Sequence, residues 1–121
     1  MTNSSINLED KFKLISEHWS PKVIAEMNDY QLKLAKLEGE FVWHKHDDTD
    51  ELFICVSGDL KVELRDGTVS LSEGELFVVP KGVAHRPIAE KECQVLLIEP
   101  RGVVNTGDIE SDLTALNDQW I

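Results

Sequence analysis

Residues 39–58, GEFVWHKHDDTDELFICVSG, decide how this chain is read. His44 and His46 are two apart, and successive side chains of an extended strand point to opposite faces. The two imidazoles are therefore expected on one side. Glu51 stands at the head of an apolar run, Leu52 to Val56, and Gly58 closes the stretch. A second stretch, GELFVVPKGVAH over residues 74–85, sets His85 behind the turn formers Pro80, Lys81 and Gly82. Three imidazoles and a carboxylate make a mixed nitrogen and oxygen donor set for one divalent transition metal. Fe, Mn, Ni, Cu and Zn all accept such donors, and the residue types do not choose among them. Four protein ligands leave one or two positions open on a five- or six-coordinate ion, and an open position separates catalytic from purely structural metal sites.

Outward from these stretches the chain reads as short strands broken by turns. Residues 23–27 and 30–37 flank Asn28-Asp29, a hairpin signal, and Asp66-Gly67 is a second one between residues 60–65 and 68–71. Leu60, Val62 and Leu64 alternate with Lys61, Glu63 and Arg65, so the apolar set is expected inward. By the same rule Tyr30, Leu32 and Leu34 share one face, with Gln31 and Lys33 on the other; the alternation slips at residues 35–37, as at a bulge. Residues 75–79 and 93–99 complete an all-β pattern of the sandwich or barrel kind. Residues 7–18 read as a helical turn or a further strand. Apolar positions at 109, 113, 116 and 120 hint at one helical face. Residues 52–56 and 76–79 are apolar on both faces, which calls for cover on both sides. The N-terminal strands or a second copy of the chain would supply that cover, and a homodimer is expected.

The chain has 121 residues, the size of one domain, and 41% of them are hydrophobic. Twelve Lys and Arg against 23 Asp and Glu give a net charge of −11. Such a surface is repelled by phosphate backbones and anionic lipid, so neither nucleic acid nor membrane is an expected partner. The first five residues are polar and no apolar run is long enough to span a bilayer, so a cytoplasmic location is expected. Cys55 and Cys93 each lie in an apolar run and read as buried, inert thiols.

On the two motif stretches the chain resembles the cupin superfamily, specifically its small single-domain members with a conserved β-barrel. The first motif carries a glycine, an HxH pair, a glutamate and a closing glycine; here these are Gly39, His44, His46, Glu51 and Gly58. The second runs from Gly74 through Pro80 and Gly82 to His85. Gly39 sits one residue closer to His44 than is usual, and Ala89 stands where many cupins have asparagine. The resemblance implies a double-stranded β-helix, or jelly-roll, barrel. It implies one cupin domain over residues 1–121, with a motif core at 39–89, an N-terminal extension to about 22 and a C-terminal one from about 103. It also implies that His44, His46, Glu51 and His85 are the metal ligands.

Around that quartet, Phe53 and Cys55 share the parity of Glu51 and are candidates for the pocket lining. Arg86 is a candidate anchor for an anionic substrate at the rim. Phe41, Trp43 and Lys45 alternate with the histidines and are expected to face away from the metal. Asp47, Asp48 and Asp50 read as a solvated turn, and His18 as a surface residue. The function expected first is a metal-dependent enzyme acting on a small polar substrate, by oxygenase- or isomerase-type chemistry. A sugar-phosphate isomerase is disfavoured, because only Lys45, Lys81 and Arg86 lie near the motifs to meet a phosphate. The alternative is a non-catalytic barrel that binds or senses a small ligand through the same metal, and a purely structural metal ranks last.

Overall fold

The structure, a computed structural model, describes residues 3–121; the polar N-terminal reading falls partly on Met1 and Thr2, outside the described residues. One short helix precedes seven strands: α1 (Leu8–Phe12), β1 (Lys22–Met27), β2 (Tyr30–Glu40), β3 (Glu51–Ser57), β4 (Leu60–Leu64), β5 (Gly67–Leu71), β6 (Leu76–Val79) and β7 (His85–Pro100). The strands pair antiparallel in the order β1-β2-β7-β3-β6, while β4 joins both β5 and β7. Strand β7 organises the molecule. Its C-terminal half lies between β2 and β3, and its N-terminal half lies between β2 and β4. One strand thus belongs to both layers, which closes the antiparallel jelly-roll barrel.

The first hairpin turns at Asn28-Asp29 as expected, with Asn28 in the left-handed region at φ 55 between β1 and β2; the second turns one residue early, at Arg65-Asp66, and Gly67 already pairs with Leu64 as the first residue of β5. The irregularity expected near residues 35–37 appears as a register shift between Leu37 and Gly39. Leu60 and Val62 are buried inside the barrel with Phe53, Val95 and Leu97. Cys55 and Cys93 belong to the same core, both as free thiols. Burial pushes the Cys93 thiol up to about 12, so it stays protonated and unreactive. Ala89, at the position where asparagine is common, lies opposite Gly39 and is 1% exposed.

A second core lies outside the barrel wall, where Phe12 and Ile15 pack on Ile24 and Leu34. Helix α1 has five residues, too few to be stable alone. Asn7 caps it by accepting from the Asp10 amide at 2.9 Å, and burial of Phe12 adds roughly 1.5–3 kcal/mol.

One expectation needs correction. Residues 109–120 form turns and bends, with no helix. The segment instead runs back to the edge of the sheet, where Val23 donates to the Gln119 carbonyl at 2.7 Å and Ile121 donates to that of Val23 at 3.1 Å. Backbone pairing of this kind needs no helical face, so apolar spacing misled. Strand β2 keeps the expected alternation, but with both faces buried. Gln31 and Lys33, placed by alternation opposite the apolar face, are buried at 0% and 3% exposure and look into the barrel. Leu34 faces the other way, under α1. Both faces of β2 are covered, so polarity along the strand does not mark the solvent side.

Candidate metal centre

The segment from Phe41 to His46 is not a continuous strand. It is tied down at single points: His44 and His85 exchange both backbone hydrogen bonds, at 3.0 and 2.9 Å, and the Gly82 amide donates to the His46 carbonyl at 2.8 Å. Gly82 takes φ +76, a left-handed conformation that costs glycine little. The Lys81 amide donates to Asp50 at 2.9 Å and joins the two motif loops. The turn formers therefore serve to bring two histidine-bearing loops face to face.

His44, His46, Glu51 and His85 are all buried, and one donor atom from each lies within 4.8 Å of the others. His85 Nε2 is 3.1 Å from Glu51 Oε1, and His46 Nε2 is 3.4 Å from Glu51 Oε2. His44 and His85 each direct Nδ1 at the carbonyl two residues upstream, Val42 at 2.9 Å and Val83 at 3.0 Å. A hydrogen bond from Nδ1–H fixes the ring and leaves Nε2 with its lone pair toward the centre, the usual second partner of a metal-binding histidine. His46 Nε2 is buried with no hydrogen-bond partner among the described residues. An orphaned ring nitrogen inside a ring of nitrogen and oxygen donors fits a divalent transition metal.

Charge in the site supports the same fit. Burial, with His85 nearby, pulls the His44 imidazole down to about 4, so it is neutral at physiological pH. For His46 burial acts downward too, but the Glu51 carboxylate outweighs it and the pKa lies above the ordinary 6.5. Burial would raise the Glu51 carboxyl, yet the His46 and His85 rings beside it hold it well below the usual carboxylate range. Glu51 is thus an anion in the barrel, beside three rings that would share a metal with it.

Beside the quartet lies a small cavity of about 30 Å³ that opens to solvent on one side. Its walls include Phe41, Phe53, Leu97 and Trp19, and His44, Glu51 and Glu99 border it. Phe53 is therefore at the cavity, whereas Cys55 is not among the bordering residues. Its thiol donates to the Gly58 carbonyl at 3.3 Å. Arg86 is also away from the cavity: it pairs with Glu63 at 2.7 Å and Glu40 at 3.1 Å beside the Trp43 ring. Phe41 departs from its expected outward direction and meets His44 edge-on at 5.2 Å, because the 41–46 segment does not keep strand parity. Trp43 lies under Arg65 at 3.8 Å, and Lys45 pairs with Asp47 at 3.2 Å. His18 is exposed, as expected of a surface residue, and bonds Glu92 at 2.7 Å.

Trp19 was not singled out in sequence, since nothing local marks it. It stacks on Phe41 at 4.6 Å and donates from its indole to the Glu38 carbonyl at 2.9 Å. Gly107 was missed for the same reason. A Cβ there would lie 2.2 Å from the Lys45 carbonyl oxygen, so the C-terminal segment packs directly on the HxH loop. Among the described residues, no helix is long and apolar enough to cross a membrane.

Comparison with known proteins agrees with this geometry. The cupin domain family model matches residues 32–99. A cupin-2 domain protein from Shewanella frigidimarina is 59% identical, over 79% of this chain and 94% of its own, with a TM-score of 0.78. Protein NMB1881 from Neisseria meningitidis is 39% identical, over 80% and 99%, with a TM-score of 0.74. The Bacillus subtilis protein YdbB is 34% identical, over 63% of this chain and 77% of its own.

Proposed function

This chain belongs to the cupin domain family, and from that premise we propose that it binds one divalent transition metal through His44, His46, Glu51 and His85 and acts as a metal-dependent enzyme on a small oxygen-bearing substrate. The carrying observation is the buried quartet, with its donor atoms within 4.8 Å of one another at the wall of a cavity. A bound ion would supply Lewis acidity and an open coordination position. The chain's own groups do the rest. The Val42 and Val83 carbonyls orient two rings, Glu51 supplies the negative charge, and Phe41, Phe53 and Trp19 give the cavity an apolar wall.

Within that reading, oxygenase-type chemistry is better supported than isomerisation of a sugar phosphate. Arg86 and Lys45 are engaged with acidic neighbours outside the cavity, and the inward Lys33 is paired with Glu99. No free cation among them is left for a phosphate. A homodimer in the cytoplasm belongs to the same proposal, supported by the exposed apolar side chains of Leu76 and Val78 on β6. Oxygen consumption and product formation, screened over small hydroxylated compounds with iron- or manganese-loaded protein, test the enzyme reading. Turnover that disappears in Glu51→Gln is the expected result. A ligand recovered bound and unreacted would favour the alternative, a non-catalytic binding or sensing barrel.

A further inference from the structure

Strands β2 and β7 each turn a charged side chain into the barrel. Lys33 and Glu99 are 4% and 2% exposed, and Lys33 Nζ donates to Glu99 Oε1 at 2.9 Å. The same ammonium reaches the Val103 carbonyl at 3.4 Å. Glu99 Oε2 is buried with no hydrogen-bond partner among the described residues. The carboxylate borders the same cavity as His44 and Glu51. A buried ion pair seldom stabilises a fold more than a well-packed apolar pair, and an unpaired buried oxygen adds a further cost. Stability alone therefore gives no reason for these two residues. Ligand recognition does: apart from Asn105, whose amide is already bonded to the backbone of Trp19, Leu113 and Ala115, the rest of the wall is apolar, with Trp19 stacked on Phe41 and with Phe53 close by, and a site of that kind takes its orientation from one or two fixed polar groups.

We propose that Glu99, positioned by Lys33, is the polar anchor of the ligand site: its Oε2 hydrogen-bonds a hydroxyl of a small ligand whose flat apolar body lies against Trp19, Phe41 and Phe53. This rests on the reading of the cavity beside the quartet as the ligand site, and it adds the ligand class. A neutral hydroxyl suits the site because it can donate to the carboxylate or accept from its acid form.

Phenol and toluene serve as probes of similar size, one with and one without the hydroxyl. Their dissociation constants are measured by ligand-observed NMR on wild type and on the double variant Lys33→Met/Glu99→Leu, which removes both charges together. Metal content is determined on the same samples. The phenol-to-toluene preference should fall by about tenfold or more in the double variant, the value of a hydrogen bond to a charged group. An unchanged preference, or no binding of either probe to wild type, would overturn the proposal. Phenol seated in a wild-type crystal gives a second reading that does not depend on the variant folding. Its oxygen should lie about 3 Å from Glu99 Oε2, and phenol seated elsewhere would contradict the assignment. If wild type holds no metal while the preference still falls, the metal reading fails and the Glu99 assignment stands.

Discussion

At Glu51 two opposing effects meet. Burial favours the neutral acid, and His46 and His85, each within hydrogen-bonding reach, favour the anion and prevail. The consequence is a definite pH dependence. Glu51 has a folded pKa below the ordinary 4.5, so its contribution to stability is present above 4.5 and lost as pH falls. His46 has a folded pKa above the ordinary 6.5, so its contribution is fully present below 6.5 and lost as pH rises. In metal-free protein this pair supports the fold best between those two values. A metal replaces the His46 proton and meets less competition as pH rises. The difference in Tm between metal-loaded and chelator-treated protein should therefore widen as pH rises from about 6 to 8. A gap that narrows over that range would contradict the assignment of His46. At this scale the four residues were legible in the sequence, because their spacing and the glycines around them are local signals. Phe41 was misplaced because strand parity was assumed for a segment that is not a strand. Trp19 and Glu99 were illegible because they reach the site through tertiary packing alone.

Among the elements, the C-terminal segment does more than trail from β7. Asn105 donates to the carbonyls of Trp19 at 3.1 Å and Leu113 at 2.9 Å, so one side chain ties the cavity wall to the closing segment. The Asp108 side chain accepts from the Lys45 amide at 3.1 Å, beside the HxH pair. Gly107 sits between them at φ +59. Gly107→Ala meets the Lys45 carbonyl and an unfavourable backbone conformation together, and should cost about 2–4 kcal/mol, lowering Tm by on the order of 10 °C. It should also weaken metal binding, since the carbonyl it displaces is flanked by His44 and His46. Gly102→Ala is the control: its φ is +95, but nothing lies within 4 Å of the added carbon, so only the backbone strain remains. Equal losses in the two variants, by thermal melts and metal titration, would remove the C-terminal segment from the account. The strands and both hairpins were legible from turn residues and alternation. Which face of β2 points inward was not, because α1 covers the apolar face and the barrel interior holds Gln31 and Lys33.

Over the whole molecule, a net charge of −11 coexists with an apolar patch at β6, where Leu76 and Val78 are 58% and 44% exposed. An edge strand with outward apolar side chains is a pairing surface, and a second copy is the occupant that would cover it. Sedimentation should find a dimer for wild type and a monomer for Val78→Glu; a monomer for both would dispose of the homodimer. The barrel itself leaves the chemistry open, since one fold supports many activities. What it does specify is the place where three buried imidazoles and one buried carboxylate converge. The most direct test is elemental analysis of protein purified without chelators. Wild type should carry about one transition metal per chain, and His46→Ala and His85→Ala should each lose it while remaining folded. A wild type without stoichiometric metal, or variants that keep it, would contradict the central claim.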